Sequence, residues 1–141
     1  THLGRYNNEN VQAFGSYNIS IASFPQALQK TFPNLHKIEI DNAGLTEIFK
    51  DDLKPSGEKL TFLSLRLNKI SKIASDLFMY SPNLETLDLY ANQIYKVGSE
   101  AFLVPIKLTS IDFERNVCHS GIGFNDRIKV LELIEKISQK C

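Results

Sequence analysis

Residues 60–70 read LTFLSLRLNKI, and residues 84–94 read LETLDLYANQI. Aligned residue by residue, both stretches carry apolar side chains at positions one, four, six and eleven, and both carry Asn at position nine. The step between them is 24 residues. Self-similarity at a fixed period is typical of repeat architectures, in which no single repeat buries its apolar face and each must stack on the next.

The same eleven-residue frame recurs on both sides of this pair. Downstream it falls on residues 108–118, and upstream, after a step of 25 residues, it falls on residues 35–45. A fifth, degenerate copy occupies residues 11–21. Each frame predicts one short strand whose apolar side chains point inward. The five frames together predict a continuous stack of coils over residues 11–118.

The ninth position of the frame predicts a ladder formed by Asn68, Asn92 and Asn116. An amide side chain at this position suits a tight turn, because it satisfies backbone groups that the stacked coils bury. Ala43 and Ile19 occupy the same position in the first two frames. We therefore expect the first two coils to be less regular than the later ones.

The L-x-x-L-x-L-x-x-N-x-L pattern resembles the leucine-rich-repeat family. Phe78 and Phe102 each lie ten residues after the repeated Asn, and this Phe within a 24-residue period resembles the repeats of extracellular members. Among these are Toll-like receptors and short invertebrate immune proteins. The resemblance implies an α/β solenoid of about five coils, with a parallel concave sheet and stacked Phe side chains behind it.

The composition limits the classes of function. The chain has 141 residues, of which 43% are hydrophobic, and this is enough for one domain. Sixteen basic and sixteen acidic side chains cancel, so no global charge favours nucleic acid. No apolar run reaches the roughly 18 residues of a membrane span. We expect a soluble, processed chain, and the start at Thr1 fits removal of a signal peptide and artificial truncation equally.

Both ends of the stack need a cover. Residues 1–10 are polar and predict an N-terminal arm or an edge strand. Residues 119–141 predict a C-terminal cap with an amphipathic helix over about 125–139, begun by Asn125 or Asp126 with Phe124 packed against its first turn. Its predicted packing face consists of Ile128, Leu131, Ile134 and Ile137, widened by Val130 and Leu133.

The two cysteines of the chain, Cys118 and Cys141, bracket this helix. The arrangement resembles a reduced version of the cysteine-containing caps of extracellular repeat proteins, and the resemblance implies a disulfide between them. Two unrelated thiols are the alternative. A bridge across this loop contributes roughly 3 kcal/mol to stability.

No constellation for catalysis is evident. The neighbouring Cys118 and His119 invite comparison with a nucleophile and its base, but a thiol at a core position of the repeat favours a structural role. The sequence shows no metal-ligand spacing and no glycine-rich phosphate loop. We therefore expect a protein without enzymatic activity, metal or cofactor.

Asn18, Ile19 and Ser20 form an N-x-S acceptor for glycosylation in a secreted chain.

Alternation along each strand predicts which side chains face outward from the concave sheet. We call the predicted ligand-binding set the concave patch. It combines acidic residues with a central Arg and neighbouring aromatic side chains, a mixture found at binding hot spots. The concave patch comprises Tyr17, Glu39, Asp41, Phe62, Arg66, Leu67, Asp88, Tyr90, Asp112 and Glu114.

These features favour a secreted recognition module that binds a protein ligand through the concave sheet. The family resemblance, rather than any residue, suggests innate immunity or extracellular signalling. Two other hypotheses stay open. The chain is alternatively a structural protein that forms homodimers through its N-terminal edge or concave face, or a carrier of a small apolar ligand held at a repeat boundary or beneath the cap.

Overall fold

The computed structural model describes residues 8–141 of the chain. The predicted arm or edge strand at residues 1–10 falls largely outside this range, and Asn8–Asn10 form a 3₁₀ turn. The strands are β1 (Ala13–Tyr17), β2 (Lys37–Asp41), β3 (Phe62–Ser64), β4 (Lys72–Ile73), β5 (Thr86–Asp88), β6 (Lys96–Val97), β7 (Ser110–Asp112) and β8 (Ile122–Gly123). The helices are α1 (Leu28–Thr31), α2 (Lys50–Leu53) and α3 (Arg127–Lys140), with a further 3₁₀ turn at Gly57–Lys59.

Within residues 8–141, one sheet of six strands runs the length of the molecule in the order β1-β2-β3-β5-β7-β8. The first five strands are parallel and coincide with the five repeat frames, whereas β8 is antiparallel to β7. Strands β4 and β6 form a second, small parallel sheet. This arrangement confirms the predicted α/β solenoid with a parallel sheet. The helices in this part of the chain are each too short or too polar to cross a bilayer.

The register follows the repeat frame without a slip. Phe14, Ile38, Leu63, Leu87 and Ile111 occupy one row across the five parallel strands. The last four of these side chains are fully buried, and Phe14 is half-buried. Side chains alternate between the two faces of a strand, so this inward row places its neighbours on the concave face.

Behind the sheet, the Phe of each regular repeat packs on the next, as the resemblance implied. The ring centroids of Phe78 and Phe102 lie 5.9 Å apart with 22° between the ring planes. Leu53 takes the equivalent place in the earlier coil and is fully buried. This row fills the space between the sheet and the convex turns.

The Asn side chains bridge successive coils. The amide nitrogen of Asn68 donates to the carbonyls of Ile40 and Leu65 at 2.7 and 2.9 Å, and its Oδ1 accepts from the backbone N–H groups of Ala43 and Leu45 at 3.0 and 3.1 Å. Each Asn therefore serves its own coil and the coil before it. The same pattern repeats at Asn92 and Asn116.

The residue before each ninth position has a left-handed backbone. These residues are Asn18, Asn42, Leu67, Ala91 and Arg115, with φ between 48° and 58°. Asn tolerates this region and occupies it in the first two coils, whereas Leu, Ala and Arg pay a conformational cost there. The ladder bonds around them offset that cost, so the turn is imposed by the stack rather than by local preference.

A separate polar network joins the convex sides of the first two coils. Asp52 accepts the N–H of Phe49 at 2.8 Å and the side-chain amide of Gln26. The buried Gln29 donates to the Asp52 carbonyl and accepts from the N–H of Ser56. These bonds hold the convex loop of the second coil. In the first two coils, β1 and β2 have five residues each, whereas β3, β5 and β7 of the later coils have three.

The C-terminal end is covered by α3. Asp126 begins the helix by accepting the N–H groups of Ile128 and Lys129 at 2.9 and 3.2 Å. Gly123 allows α3 to lie against β8, because a Cβ added there would approach the backbone nitrogen of Val130 to 2.9 Å. The last sheet strand and the helix therefore close the solenoid together.

The predicted packing face of α3 is partly wrong. Val130, Leu133 and Ile137 are buried against the last coil, whereas Ile128 and Leu131 are exposed. Phe124, predicted to pack against the first turn, is also exposed, with 67% of its surface accessible. The apolar side chains of α3 cover a wide part of its surface, and only a part of them can pack against the last coil. Contact with β8 buries the part centred on Val130.

Cys118 and Cys141 form a disulfide across a sequence separation of 23 residues. It joins the end of the last repeat frame to the residue that follows α3. The sulfur of Cys118 is therefore engaged and does not supply a free thiol beside His119.

Loss of one central ladder amide should destabilise the fold strongly. Asn92→Ala leaves the buried N–H of Ile70 without a partner. It also removes one of the two Asn donors to each of the carbonyls of Leu65 and Leu89, so we expect the free energy of unfolding to fall by about 2 kcal/mol. Urea unfolding followed by circular dichroism measures this. Asn83→Ala is the control, because that side chain makes one hydrogen bond, to the Glu58 carbonyl. Equal losses in both variants would contradict the ladder's role.

The disulfide should stabilise the cap and the last coil. Replacement of both Cys118 and Cys141 by Ser is expected to lower the free energy of unfolding by roughly 3 kcal/mol, since the loop becomes unconstrained in the unfolded chain. Thermal unfolding with and without a reducing agent tests this. Reduction should destabilise the parent protein and leave the double variant unchanged, and a parent insensitive to reduction contradicts the prediction.

Candidate functional site

The concave patch spans the outward side of β1, β2, β3, β5 and β7. Pairing aligns Gly15, Glu39, Ser64, Asp88 and Asp112 in one column. The neighbouring column begins with Tyr17 and Asp41, which are paired, and continues at the same repeat positions in the later coils. The sheet therefore brings the predicted residues onto one continuous surface. The later members of that second column are Arg66, Tyr90 and Glu114.

The centre of the concave patch is a cluster of two Arg side chains around Tyr90. The Arg66 guanidinium lies 4.8 Å from the centre of the Tyr90 ring, and the Arg115 guanidinium lies 5.6 Å from it. Arg66 also lies 3.6 Å from a carboxylate oxygen of Asp88. Cations over an aromatic face gain electrostatic attraction from the ring, so the three side chains support one another.

Sequence reasoning missed Arg115. It lies beyond the strand, immediately before Asn116, and its left-handed backbone places the guanidinium beside Tyr90. Leu67 holds the equivalent place two coils earlier and was assigned to the concave patch. Its N–H donates to the Tyr90 carbonyl at 2.8 Å, and 45% of its surface is exposed. Because Leu67 and Arg115 hold the same position of the repeat, Arg115 could have been assigned to the concave patch from the sequence.

A second polar cluster lies toward the N-terminal end. The Tyr17 hydroxyl donates to Glu39, and Lys37 forms an ion pair with Glu39 at 3.0 Å. Lys37 also lies 4.4 Å from the centre of the Phe62 ring. Burial opposes ionisation of Glu39, but the bonds from Tyr17 and Lys37 lower its pKa overall. The hydrogen bond to Glu39 in turn raises the pKa of the Tyr17 hydroxyl.

The prediction that Asp41 faces solvent is wrong. Only 8% of its surface is accessible, and its Oδ1 accepts a hydrogen bond from the Ser64 hydroxyl at 2.7 Å. Its short side chain packs between neighbouring strands, where Ser64 of β3 holds it. Burial, followed by the nearby Glu39 charge, raises the pKa of Asp41. Asp41 therefore lies in the floor of the concave patch.

The other strand-end acids serve the backbone. Oδ1 of Asp88 accepts the N–H of Tyr90 at 3.0 Å, and Oδ1 of Asp112 accepts the N–H of Glu114 at 3.0 Å. Asp at this position is therefore explained in part by turn geometry. Burial raises the pKa of Asp88, opposed by the Tyr90 N–H and by Arg66. Within residues 8–141, both acids bond to the backbone through Oδ1, and Oδ2 of Asp88 lies 3.6 Å from Arg66.

A cleft opens beside this acidic pair. It encloses about 240 Å³ between the concave strands and β8. We call it the β7–β8 cleft. Apolar side chains line the cleft from the concave strands and from the segment around β8. One of them is Phe124, which was predicted from the sequence to pack against the start of the helix. The side chains that line its mouth and floor are Phe62, Asp88, Asp112, Ile122 and Phe124.

Two further depressions lie off the concave face. One of about 690 Å³ follows β4 and β6 and is lined by Phe49, Lys72, Tyr95 and Lys96. The other, of about 290 Å³, lies beneath the cap beside Leu103, Ile106 and Leu131. Within residues 8–141, no group of three or more His, Cys, Asp or Glu side chains is arranged to hold a metal ion.

Asn18 lies at the end of β1 on the rim of the concave face. Its side chain is exposed, and its Oδ1 accepts a hydrogen bond from the Asn42 amide at 2.6 Å. The amide nitrogen of Asn18, which would carry a glycan, is a separate atom from the acceptor.

Asp41 should make stability depend on pH. Its pKa in the folded state exceeds the ordinary value of 3.8, so its ionised form opposes folding, fully so above the folded pKa. Asp41→Asn is expected to raise the free energy of unfolding at pH 7, with the gain fading as pH falls through the folded pKa toward 3.8. Urea unfolding between pH 4 and 7 measures this, with Glu135→Gln as an exposed control. A gain independent of pH contradicts the assignment.

No family model matches the chain, and no curated protein matches it in sequence. Solved structures do match. A chain of the Toll–Spatzle complex of Drosophila superposes with a TM-score of 0.63 at 26% identity over 69% of this chain. The APL1 leucine-rich-repeat domain gives a TM-score of 0.67 at 20% identity over 77%, and a chain of the TLR13–ssRNA13 complex gives 0.62 at 24% over 84%.

This chain spans 13%, 28% and 16% of the lengths of those three chains, so it is similar to a part of each. The matched structures are repeat proteins, one of them in complex with a protein and one with RNA. Their shared fold agrees with the repeat frame, the parallel sheet and the Asn ladder described above. The chain therefore has the leucine-rich-repeat fold and is similar in structure to parts of the Toll and APL1 chains.

Proposed function

We propose that this protein is a secreted, non-catalytic recognition module that binds a protein ligand through the concave patch. The single observation that carries the proposal is the cluster of Arg66, Tyr90 and Arg115 at the centre of the concave sheet. Arg and Tyr are enriched at the energetic centres of protein interfaces. Their mutual contacts reduce the side-chain entropy that binding has to remove.

The charges around this cluster favour a protein over a nucleic acid. The concave patch and its neighbours Lys37 and Arg115 carry five carboxylates and three cationic side chains. A surface that tracks a phosphate backbone needs a positive field, and this face has the opposite balance. The TLR13 structure contains RNA, but the charge of the concave face here supports a partner with a basic or mixed surface.

Secretion is part of the proposal and rests on two features. The disulfide between Cys118 and Cys141 is of the kind that persists in oxidising compartments. Asn18 presents an exposed N-x-S acceptor at the rim of the concave face. We infer that Asn18 carries an N-linked glycan there, to one side of the Arg–Tyr cluster. The relation to the Toll and APL1 structures supports a role in innate immunity or extracellular signalling.

Arg66→Ala and Tyr90→Ala should each weaken partner binding at least tenfold, or about 1.4 kcal/mol. The immobilised protein is first used to capture a partner from native extracellular fluid. The affinity of that partner is then measured for each variant. Lys107→Ala and Tyr95→Ala are matched controls, because they remove the same charge or ring from exposed positions outside the concave patch.

Binding that survives both Arg66→Ala and Tyr90→Ala contradicts the concave patch as the binding surface. Light scattering over a range of protein concentrations provides an independent check. A stable dimer that is lost in the Tyr90→Ala variant would instead identify the same face as a self-association interface, and would support the structural hypothesis.

A further inference from the structure

The β7–β8 cleft presents apolar side chains that the core does not use. Phe124 is 67% exposed and Ile122 is 49% exposed, although both belong to the segment that seals the last coil. Phe62 forms part of the opposite wall. These three side chains leave an apolar mouth on the concave face, next to the Arg–Tyr cluster.

The floor of the cleft carries two carboxylates. Asp88 and Asp112 are paired across β5 and β7. One oxygen of each accepts a backbone N–H, and the second oxygen of Asp88 lies 3.6 Å from Arg66. Within residues 8–141, the second oxygen of Asp112 has no hydrogen-bonding or ionic partner.

The charge in the cleft is therefore incompletely balanced. Arg66 lies beside Asp88, and Lys37, which lies against Phe62, forms its ion pair with Glu39. The carboxylate of Asp112 is left without a cationic partner among residues 8–141. Burial raises the pKa of Asp88, and the charge of Asp112 acts in the same direction. A cation placed between Asp112 and the aromatic side chains would relieve this repulsion.

The size of the cleft indicates how much of a partner it takes. Its volume of about 240 Å³ is below the roughly 300–1,000 Å³ of sites for whole small molecules. It suits one long side chain. We propose that the β7–β8 cleft receives an Arg or Lys side chain of the protein ligand, with Asp112 as its ionic partner and Phe62 and Phe124 against its stem.

This inference rests on the proposed function and adds the chemistry of one partner residue. The ring faces attract a cation, and the apolar walls pack against its methylene stem. An acidic side chain would be repelled by the uncompensated charge. An aliphatic side chain would remove water from the carboxylates without replacing its hydrogen bonds.

The amino-acid amides N-acetyl-arginine amide and N-acetyl-lysine amide are the probes. Titrated into the ¹⁵N-labelled protein, they should bind weakly and saturably, with shifts centred on the backbone amides of Asp112, Ile122 and Phe124. N-acetyl-leucine amide and N-acetyl-glutamate amide should cause no such shifts. Equal binding of the leucine amide, or no saturable shifts with either cationic amide, overturns the proposal.

Asp112→Asn tests the ionic partner while it retains an oxygen to accept the Glu114 N–H. We expect it to weaken arginine amide binding at least about fivefold. Glu85→Gln is the matched control, because it removes one exposed carboxylate next to β5 but outside the cleft and the concave patch, and it should change binding less than about twofold. Phe124→Ala, at an exposed position, should also weaken binding. Equal effects of the Asp112 and Glu85 substitutions contradict a specific pocket.

Failure of the cleft assignment alone can be distinguished from failure of the proposed function. If partner binding depends on Arg66 and Tyr90 but neither cationic amide occupies the cleft, the concave function stands and the cleft assignment falls. The amides could instead bind through Asp112 while the affinity of the captured partner is unchanged by substitution of Arg66, Tyr90 or Asp112. The cleft then binds a cation but is not part of the proposed interface. That result overturns both the concave function and the inference.

Discussion

The stacked coils bury backbone groups at every turn, and those groups need partners that water cannot supply. The Asn ladder meets this constraint, because one amide serves two coils. Asn68 bonds to carbonyls on both sides and accepts two N–H groups that would otherwise be buried without partners. The sheet register, the Phe stack and the shape of the concave face all depend on coils held at this spacing.

The same turns shape the candidate site. A left-handed residue precedes each ladder position, and this conformation turns Leu67 and Arg115 toward the concave face beside Tyr90. The carboxylates of Asp88 and Asp112 first accept backbone N–H groups and have one oxygen left for other contacts. Residues that form the turns of the repeat thus also supply charge and aromatic contacts to the concave surface. The same side chains therefore contribute to stability and to the candidate binding site.

The sequence determined the fold because its signals are local and repeated. A period of 24 residues with alternating apolar side chains specifies the strand register, and the positions of Asn68, Asn92 and Asn116 specify the coil turns. For the same reason the concave columns could be predicted, since a residue's place in the frame decides which side of the sheet it occupies. The disulfide that ties the C-terminal cap to the last frame was implied by the family resemblance rather than by the period.

Tertiary structure alone decided what happens between frames and beyond them. The burial of Asp41 depends on packing between strands and on its hydrogen bond from Ser64 in the next strand. The face of α3 that packs, and the exposure of Phe124, depend on the antiparallel strand β8, which has no repeat signature. Sequence periodicity specifies which face of the sheet each side chain of a coil occupies. The depth of a side chain, and its partners across elements, follow from the three-dimensional packing of neighbouring chain segments.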